Sequence, residues 1–303
     1  MISFNGNKSE KRDLILSAKR IGERSLYKDR STLYWSRRSW CEPGYICTKG
    51  ADCDHRFYAD QVGVPVAVAY AERAIFRGLP CHEATEWPER FIRALSVGVD
   101  ADDFNKAWKR FALQLLNHRR HGLITHTDTP AQQDAVLTVA DLFEQDSQCF
   151  GAWERARVAC RKADTDRQDN MPTADEARVK AGSMAAMVAG HLAGTFSDQR
   201  KIAAAISWFG WPSRYTRYAE LIAPFDNRGP QADSKGMVNL GEALWAAGQW
   251  RQHASEADSE GEQERMDTNV WCAKQFLKAM RSASARAGVT RVFNYVPSWL
   301  AAA

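Results

Sequence analysis

The sequence predicts a mainly α protein: a multi-helix globular body, an irregular Cys/His-containing loop region near the N-terminus, and at most a small terminal strand pair. Three observations lead there. Apolar residues recur at helical spacing along most of the 303 residues. Helix-start signals of good quality stand before several of these stretches. Extended patterns are confined to Ile2-Ser3-Phe4 and Val289 to Val296. A composition of 45% hydrophobic and 26% charged residues is that of a globular chain, which excludes disorder and collagen-like sequence.

Asn7 or Ser9 can cap a first helix carrying Leu14, Ala18 and Ile21 on one face. The pattern is irregular from Gly22 to Asp60. Pro65 suits the first turn of a short apolar helix, Val66 to Phe76, ended by Gly78. Residues 84–95 follow, with Trp87, Phe91 and Leu95 four apart. Asp100 or Asp102 starts the next helix, whose Phe104, Trp108, Phe111 and Leu115 form one stripe and which ends at Gly122. Thr129-Pro130-Ala131-Gln132 reads as cap, first-turn proline and capping-box glutamine for a helix to about Gln145. Another helix covers Gln148 to Ala163.

The polar stretch Arg161 to Pro172 reads as a linker, dividing the chain into regions 1–163 and 172–303, or lying within one continuous domain. Thr173 to Glu176 is a second capping box. Its helix bears Gly182, Ser183, Ala185, Ala186, Ala189 and Gly190, small residues that permit close helix approach. Helix 173–194 is therefore also a candidate surface for a protein partner or a homo-oligomer. Further helices are expected at 197–209, 213–223, 234–253 and 262–287, with an exposed acidic stretch from Asp258 to Glu264.

No stretch approaches the ~20 apolar residues of a membrane span; the best, Gly182 to Gly194, contains His191. Met1 to Gly6 is not followed by an apolar leader. With seven cysteines, an odd number, this predicts a cytoplasmic protein with reduced thiols or metal ligands, and no membrane partner. Phosphate-binding loops, dinucleotide fingerprints, GxSxG elbows and HExxH are not found.

Two features point to function. Residues 1–38 hold ten Lys or Arg against four Asp or Glu, so the remaining chain is net −2 against an overall +4. Beside this basic segment lie Tyr34, Trp35, Arg37, Arg38 and Trp40. Cations neutralise phosphates and flat rings stack on bases, so Trp35, Arg37, Arg38 and Trp40 are candidate nucleic-acid contacts. The alternative is a solvated helix face with core-docking aromatics.

Cys41, Cys47, Cys53 and His55 fall within fifteen residues. Three thiolates and an imidazole make a tetrahedral zinc set, in a loop too poor in apolar residues to hold itself together. The spacing is similar to the CCCH fingers of RNA-binding proteins, whose last step is longer. In a competing reading Cys47 is a thiolate nucleophile and His55 its base, oriented by Asp52, Asp54 or Asp60. Glu72, a carboxylate on an apolar helix, would support such an enzyme or form a structural ion pair. His118 and His121, three apart with His126 beyond them, can face one ion or simply complement a helix C-terminus. Cys149, Cys160 and Cys272 read as core thiols, and Met184 and Met187 as packing.

The segments His55-x-x-Tyr58-x-Asp60-x-Val62-Gly63-Val64-Pro65, Glu72-x-x-Ile75-Phe76-x-Gly78-Leu79-Pro80, Trp87-Pro88-x-x-Phe91 and Val97-Gly98-Val99-Asp100 resemble a family of bacterial hypothetical proteins with no established activity. The resemblance covers roughly residues 1–120. It implies a glycine-rich loop with two cysteines and a following histidine; Cys47 and His55 match the second cysteine and the histidine. Pro43 stands where the first cysteine would be, and Cys41 lies two residues earlier.

Overall fold

A computed structural model describes residues 2–26, 62–164, 173–226 and 240–283. Among them the chain is helical, with no strand or sheet. The elements are α1 (Lys8–Leu26), α2 (Val66–Gly78), α3 (Cys81–Ala94), α4 (Ala101–Asn117), α5 (Pro130–Glu144), α6 (Phe150–Ala163), α7 (Ala174–Gly194), α8 (Lys201–Trp208), α9 (Trp211–Asp226) and α10 (Leu240–Ser282). Short 3₁₀ turns stand at Ser3–Gly6 and Leu123–His126.

The N-terminus is clasped by two of the glycine motifs. Gly63 and Gly98 both have positive φ, at 72° and 80°. A Cβ on Gly63 would lie 2.2 Å from the Ile2 carbonyl oxygen, so only glycine lets the chain approach. Ser3 N–H donates to Val99 O at 2.9 Å, Gly98 N–H to Ser3 O at 3.1 Å, and the Ser3 hydroxyl to Ser96 O at 2.6 Å. Ile2 forms an isolated antiparallel bridge with Asp100. Val289 to Val296 lie outside the described residues. Leu14, Ile15 and Ala18 seat α1 on the core. The Lys11 ammonium donates to the Arg93 and Leu95 carbonyls, capping the C-terminus of α3.

Both expected capping boxes form. Thr129 Oγ1 accepts from Gln132 N–H at 3.3 Å, and Gln132 Oε1 accepts from Thr129 N–H at 3.1 Å. At α7, Thr173 Oγ1 accepts from Glu176 N–H at 3.3 Å, and Glu176 Oε2 accepts from Thr173 N–H at 2.8 Å. A Cβ on Gly182 would stand 2.0 Å from Gln132 Oε1, so α7 crosses directly over the first turn of α5. Gly190 lies against Cys160 in the same way. The small residues of α7 are thus taken up by this chain's own helices, with Ala181, Ala185, Ala186 and Ala189 buried.

The main core runs from Phe4 to Ala283 and draws on helices from both sides of 165–172. At its centre Phe276 of α10 meets Trp87, Phe91 and Phe111, with centroids 6.4, 5.9 and 5.2 Å away. Phe104, Phe111 and Leu115 are buried as their stripe predicts; Trp108 is only partly buried, tilted against Phe111 at 5.6 Å. A smaller cluster joins Ala177, Tyr218, Ile222, Ala254 and Ala257.

Where a break was expected around 254–261, α10 is one helix of 43 residues. The acidic stretch does not interrupt it, because its carboxylates meet arginines of α9. Asp258 accepts from Arg214 at 2.7 Å and Glu260 from Arg217 at 2.8 Å. Gly261 admits the α9 backbone: a Cβ there would be 2.8 Å from Arg214 O.

Candidate functional site

Of the side chains singled out by sequence for catalysis, metal or nucleic acid, Trp35, Arg37, Arg38, Trp40, Cys41, Cys47, Cys53 and His55 lie outside the described residues. Glu72 lies within them. The near-continuous apolar run of α2 puts Val68, Glu72 and Ile75 on one buried face, and Glu72 is 8% exposed. Its Oε1 accepts a hydrogen bond from Trp87 Nε1 at 3.0 Å. The donor is a neutral indole; His55 and the arginines of residues 20–38 lie outside the residues whose side chains are described. An indole stabilises a carboxylate less than a guanidinium does. Burial therefore dominates and pushes the Glu72 carboxyl up to about 7; the Trp87 bond, then the charge of Arg73, pull the other way. The result is a buried acid poised near neutrality. It also ties the Glu72 motif to the Trp87-Pro88-x-x-Phe91 motif.

A second cluster sits at the end of α4. His118 is the C-cap residue, and its Nδ1 accepts from the His121 N–H at 3.2 Å, which fixes the ring proton of a neutral His118 on Nε2. A Cβ on Gly122 would be 2.4 Å from His118 N, so this turn requires glycine. The His118 and His121 rings stack on each other at 5.7 Å and against Trp271 at 4.7 and 5.0 Å. His126 turns inward and its Nδ1 lies 2.9 Å from Thr216 Oγ1. Burial, then the charge of His121, holds His126 down at about 4. Burial also lowers His121, helped by Arg120 and His118 and opposed by Asp267. Among the described residues no group of three or more His, Cys, Asp or Glu is arranged to hold a metal ion.

A groove of about 650 Å³ lies between α9 and α10, lined by Trp211, Arg214, Asp258, Glu260, Glu262 and Arg265. The Arg214 and Arg265 guanidiniums lie 5.0 and 5.2 Å from the Trp211 ring centre. Arg214 also pairs with Asp258 at 2.7 Å and Glu262 at 3.3 Å, and Arg265 pairs with Glu262. Its cations are thus engaged by the chain's own carboxylates and indole. No periodicity in the sequence pairs residues 44 apart, such as Arg214 and Asp258, so this stitch of α9 to α10 was not visible there.

Cys160 and Cys272 are buried, as expected of core thiols. Burial pushes the Cys160 thiol up to about 12 and raises Cys272 as well, which makes both poor nucleophiles. Cys149 departs from the expectation: it is exposed at the N-terminal boundary of α6. No helix among the described residues is long and apolar enough to cross a membrane. No protein-family model, curated protein or solved structure matches the chain.

Proposed function

We propose that the chain binds nucleic acid through its basic, aromatic N-terminal segment, with a zinc-stabilised loop beside it and the helical body as its mount. The observation that carries this reading is the charge of residues 1–38, ten Lys or Arg against four Asp or Glu, continuous with Trp35, Arg37, Arg38 and Trp40. Arg37 and Arg38 would neutralise phosphates, and Trp35 and Trp40 would stack on unpaired bases. Cys41, Cys47, Cys53 and His55 supply the donor set that zinc prefers. The anchoring of α1 on the core supports the reading, because it leaves Lys8, Arg12 and Lys19 exposed. Elemental analysis of protein purified without chelator is expected to give one zinc per chain. Fluorescence anisotropy should give affinity that falls steeply with salt, since each neutralised phosphate releases counterions. No binding of single- or double-stranded DNA or RNA at micromolar protein refutes the reading.

One observation favours a second reading, a thiol-dependent enzyme using Cys47 and His55. Glu72, with its carboxyl raised to about 7, has the proton affinity that a supporting acid or base requires. A metal-free protein with a single hyper-reactive thiol at Cys47 would select it over the first.

A further inference from the structure

The face shared by α6 and the end of α7 combines exposed aromatic rings with cations that make no ion pair among the described residues. Phe150 and Phe196 are 58% and 38% exposed, and their ring centroids are 6.5 Å apart. Phe196 is not loose. Its ring stacks on Trp153 at 5.5 Å and 14°, and the Trp153 indole N–H donates to Ser147 O at 2.9 Å. Trp153 in turn meets Phe143 edge-on at 4.9 Å. The exposed ring therefore rests on a buried aromatic stack, so little conformational freedom remains to be lost on binding.

The charges follow from helix geometry. Trp153, Ala156, Cys160 and Ala163 form the buried face of α6. Phe150, Glu154, Arg157 and Arg161 recur at spacings of four, three and four on another face. The first residue of α8, Lys201, brings a second cation beside this stripe. A Cβ on Gly194 would be 3.3 Å from Lys201 Cγ and 3.7 Å from Arg157 Cδ, so the two side-chain stems flank that glycine. Glu154 pairs with Arg157, and Asp198 with Arg200 at 2.9 Å; the charges of Arg161 and Lys201 add to these pairings in lowering the Glu154 and Asp198 carboxyls, and cations still outnumber acids on this face. Arg161 and Lys201 make no ion pair among the described residues. Lys201 is felt locally, since its charge adds to burial in lowering His191.

We infer that this face is a second contact surface for single-stranded nucleic acid, with Phe150 and Phe196 stacking on bases and Arg161 and Lys201 holding the adjoining phosphates. The inference rests on the nucleic-acid reading above and adds a site on the helical body to the N-terminal one. Single strands fit better than duplex because only unpaired bases offer their faces to a ring. The surplus cations match a phosphate backbone, and the sequence-independent character of stacking predicts little base preference.

The test uses the full chain and a fluorescein-labelled oligothymidylate of roughly 20 nucleotides, longer than the ~4–16 nucleotides that single-strand sites usually span. Anisotropy is read at about 50 mM salt and upward. F150A/F196A should weaken single-strand binding by roughly tenfold or more and leave duplex binding unchanged. R161E/K201E should weaken both and lower the salt slope by about 1.4, at ~0.7 per phosphate contact on a single strand. All four residues are at the surface, and circular dichroism confirms that the variants fold. R37E/R38E reports separately on the N-terminal segment. If R37E/R38E abolishes binding while the α6 variants bind as wild type, this inference is overturned and the N-terminal reading stands. If only the α6 variants lose affinity, the N-terminal reading falls and this surface stands. Unchanged binding together with loss of a dimer in F150A/F196A by light scattering overturns the inference in favour of self-association. Capture of an acidic peptide by the same surface in place of the oligonucleotide overturns it too.

Discussion

Replacing Glu72 by Gln should stabilise the protein, and only above mildly acidic pH. Glu72 has a carboxyl value of about 7 in the fold against 4.5 when solvated. The folded state therefore favours the protonated acid. The associated stability is whole below pH 4.5 and is lost as pH rises through about 7. At ~1.4 kcal/mol per unit the loss is roughly 3 kcal/mol by pH 8. Gln cannot ionise, and its carbonyl still accepts from Trp87 Nε1, 3.0 Å from the present acceptor. Its amide N–H groups need partners in a site where Glu72 is 8% exposed, which we set at about 1 kcal/mol. The net expectation is about 2 kcal/mol of stabilisation at pH 8, and a loss of up to about 1 kcal/mol at pH 4.5. Urea unfolding at both pH values measures it, with the m-value checked for constancy. E72Q that destabilises at pH 8 more than at pH 4.5 would refute the reasoning, since it would mean that the native carboxylate is ionised and paired.

His126→Asn keeps a polar group near Thr216 Oγ1 and removes a titration whose folded value is about 4 against 6.5. The stability held by the neutral ring is present above pH 6.5 and lost as pH falls through 4, so the variant should unfold less readily at pH 4. The ring is partly exposed, and the gain is discounted to about 2 kcal/mol; an unchanged acid transition refutes the assignment. Gly182→Ala would set a methyl against Gln132 Oε1, so a loss of about 1–3 kcal/mol is expected in urea unfolding. Phe276→Ala should cost about 3–5 kcal/mol by removing the ring that joins Trp87, Phe91 and Phe111, and an unchanged midpoint would show that this cluster is not packed. Treatment with a zinc chelator is expected to weaken nucleic-acid binding while the far-ultraviolet dichroism of the helical body persists.

The fold class, the two capping boxes, the Phe104-Phe111-Leu115 stripe and the glycine-bounded turns were legible because each is written in local spacing. Thr129 needs only Gln132, and Thr173 only Glu176. The continuity of α10 was not legible. Asp258, Glu260, Glu262 and Glu264 in seven residues read as an exposed interruption unless Arg214 and Arg217 are known to lie opposite. The indole donor to Glu72 was not legible either. A carboxylate on an apolar helix asks for a charge, and nothing local says that an indole fifteen residues later supplies the hydrogen bond. The motifs of residues 62–100 now have physical causes. Gly63 and Gly98 let the chain close round Ser3, while Glu72 and Trp87 lock α2 to α3. Gly63, Gly98 and Trp87 thus serve the fold, and the proposed nucleic-acid contacts lie instead in residues 35–40 and on the exposed face of α6.

Glu72 and His126 also act on one another's visibility. The buried acid favours low pH from 4.5 to about 7, and the partly buried imidazole favours high pH from about 4 to 6.5. Across the shared interval each adds a slope of up to ~1.4 kcal/mol per pH unit, and the slopes have opposite sign. Their sum is therefore nearly flat, although each site alone is strongly pH-sensitive. A flat stability profile of the native chain between pH 4.5 and 6.5 would not show that these groups are ordinary. E72Q would leave the His126 slope uncovered, making stability fall toward acid. H126N would leave the Glu72 slope uncovered, making it fall toward alkali. The two single variants must therefore tilt the profile in opposite directions, and a tilt of the same sign in both would exclude at least one of the two burial assignments.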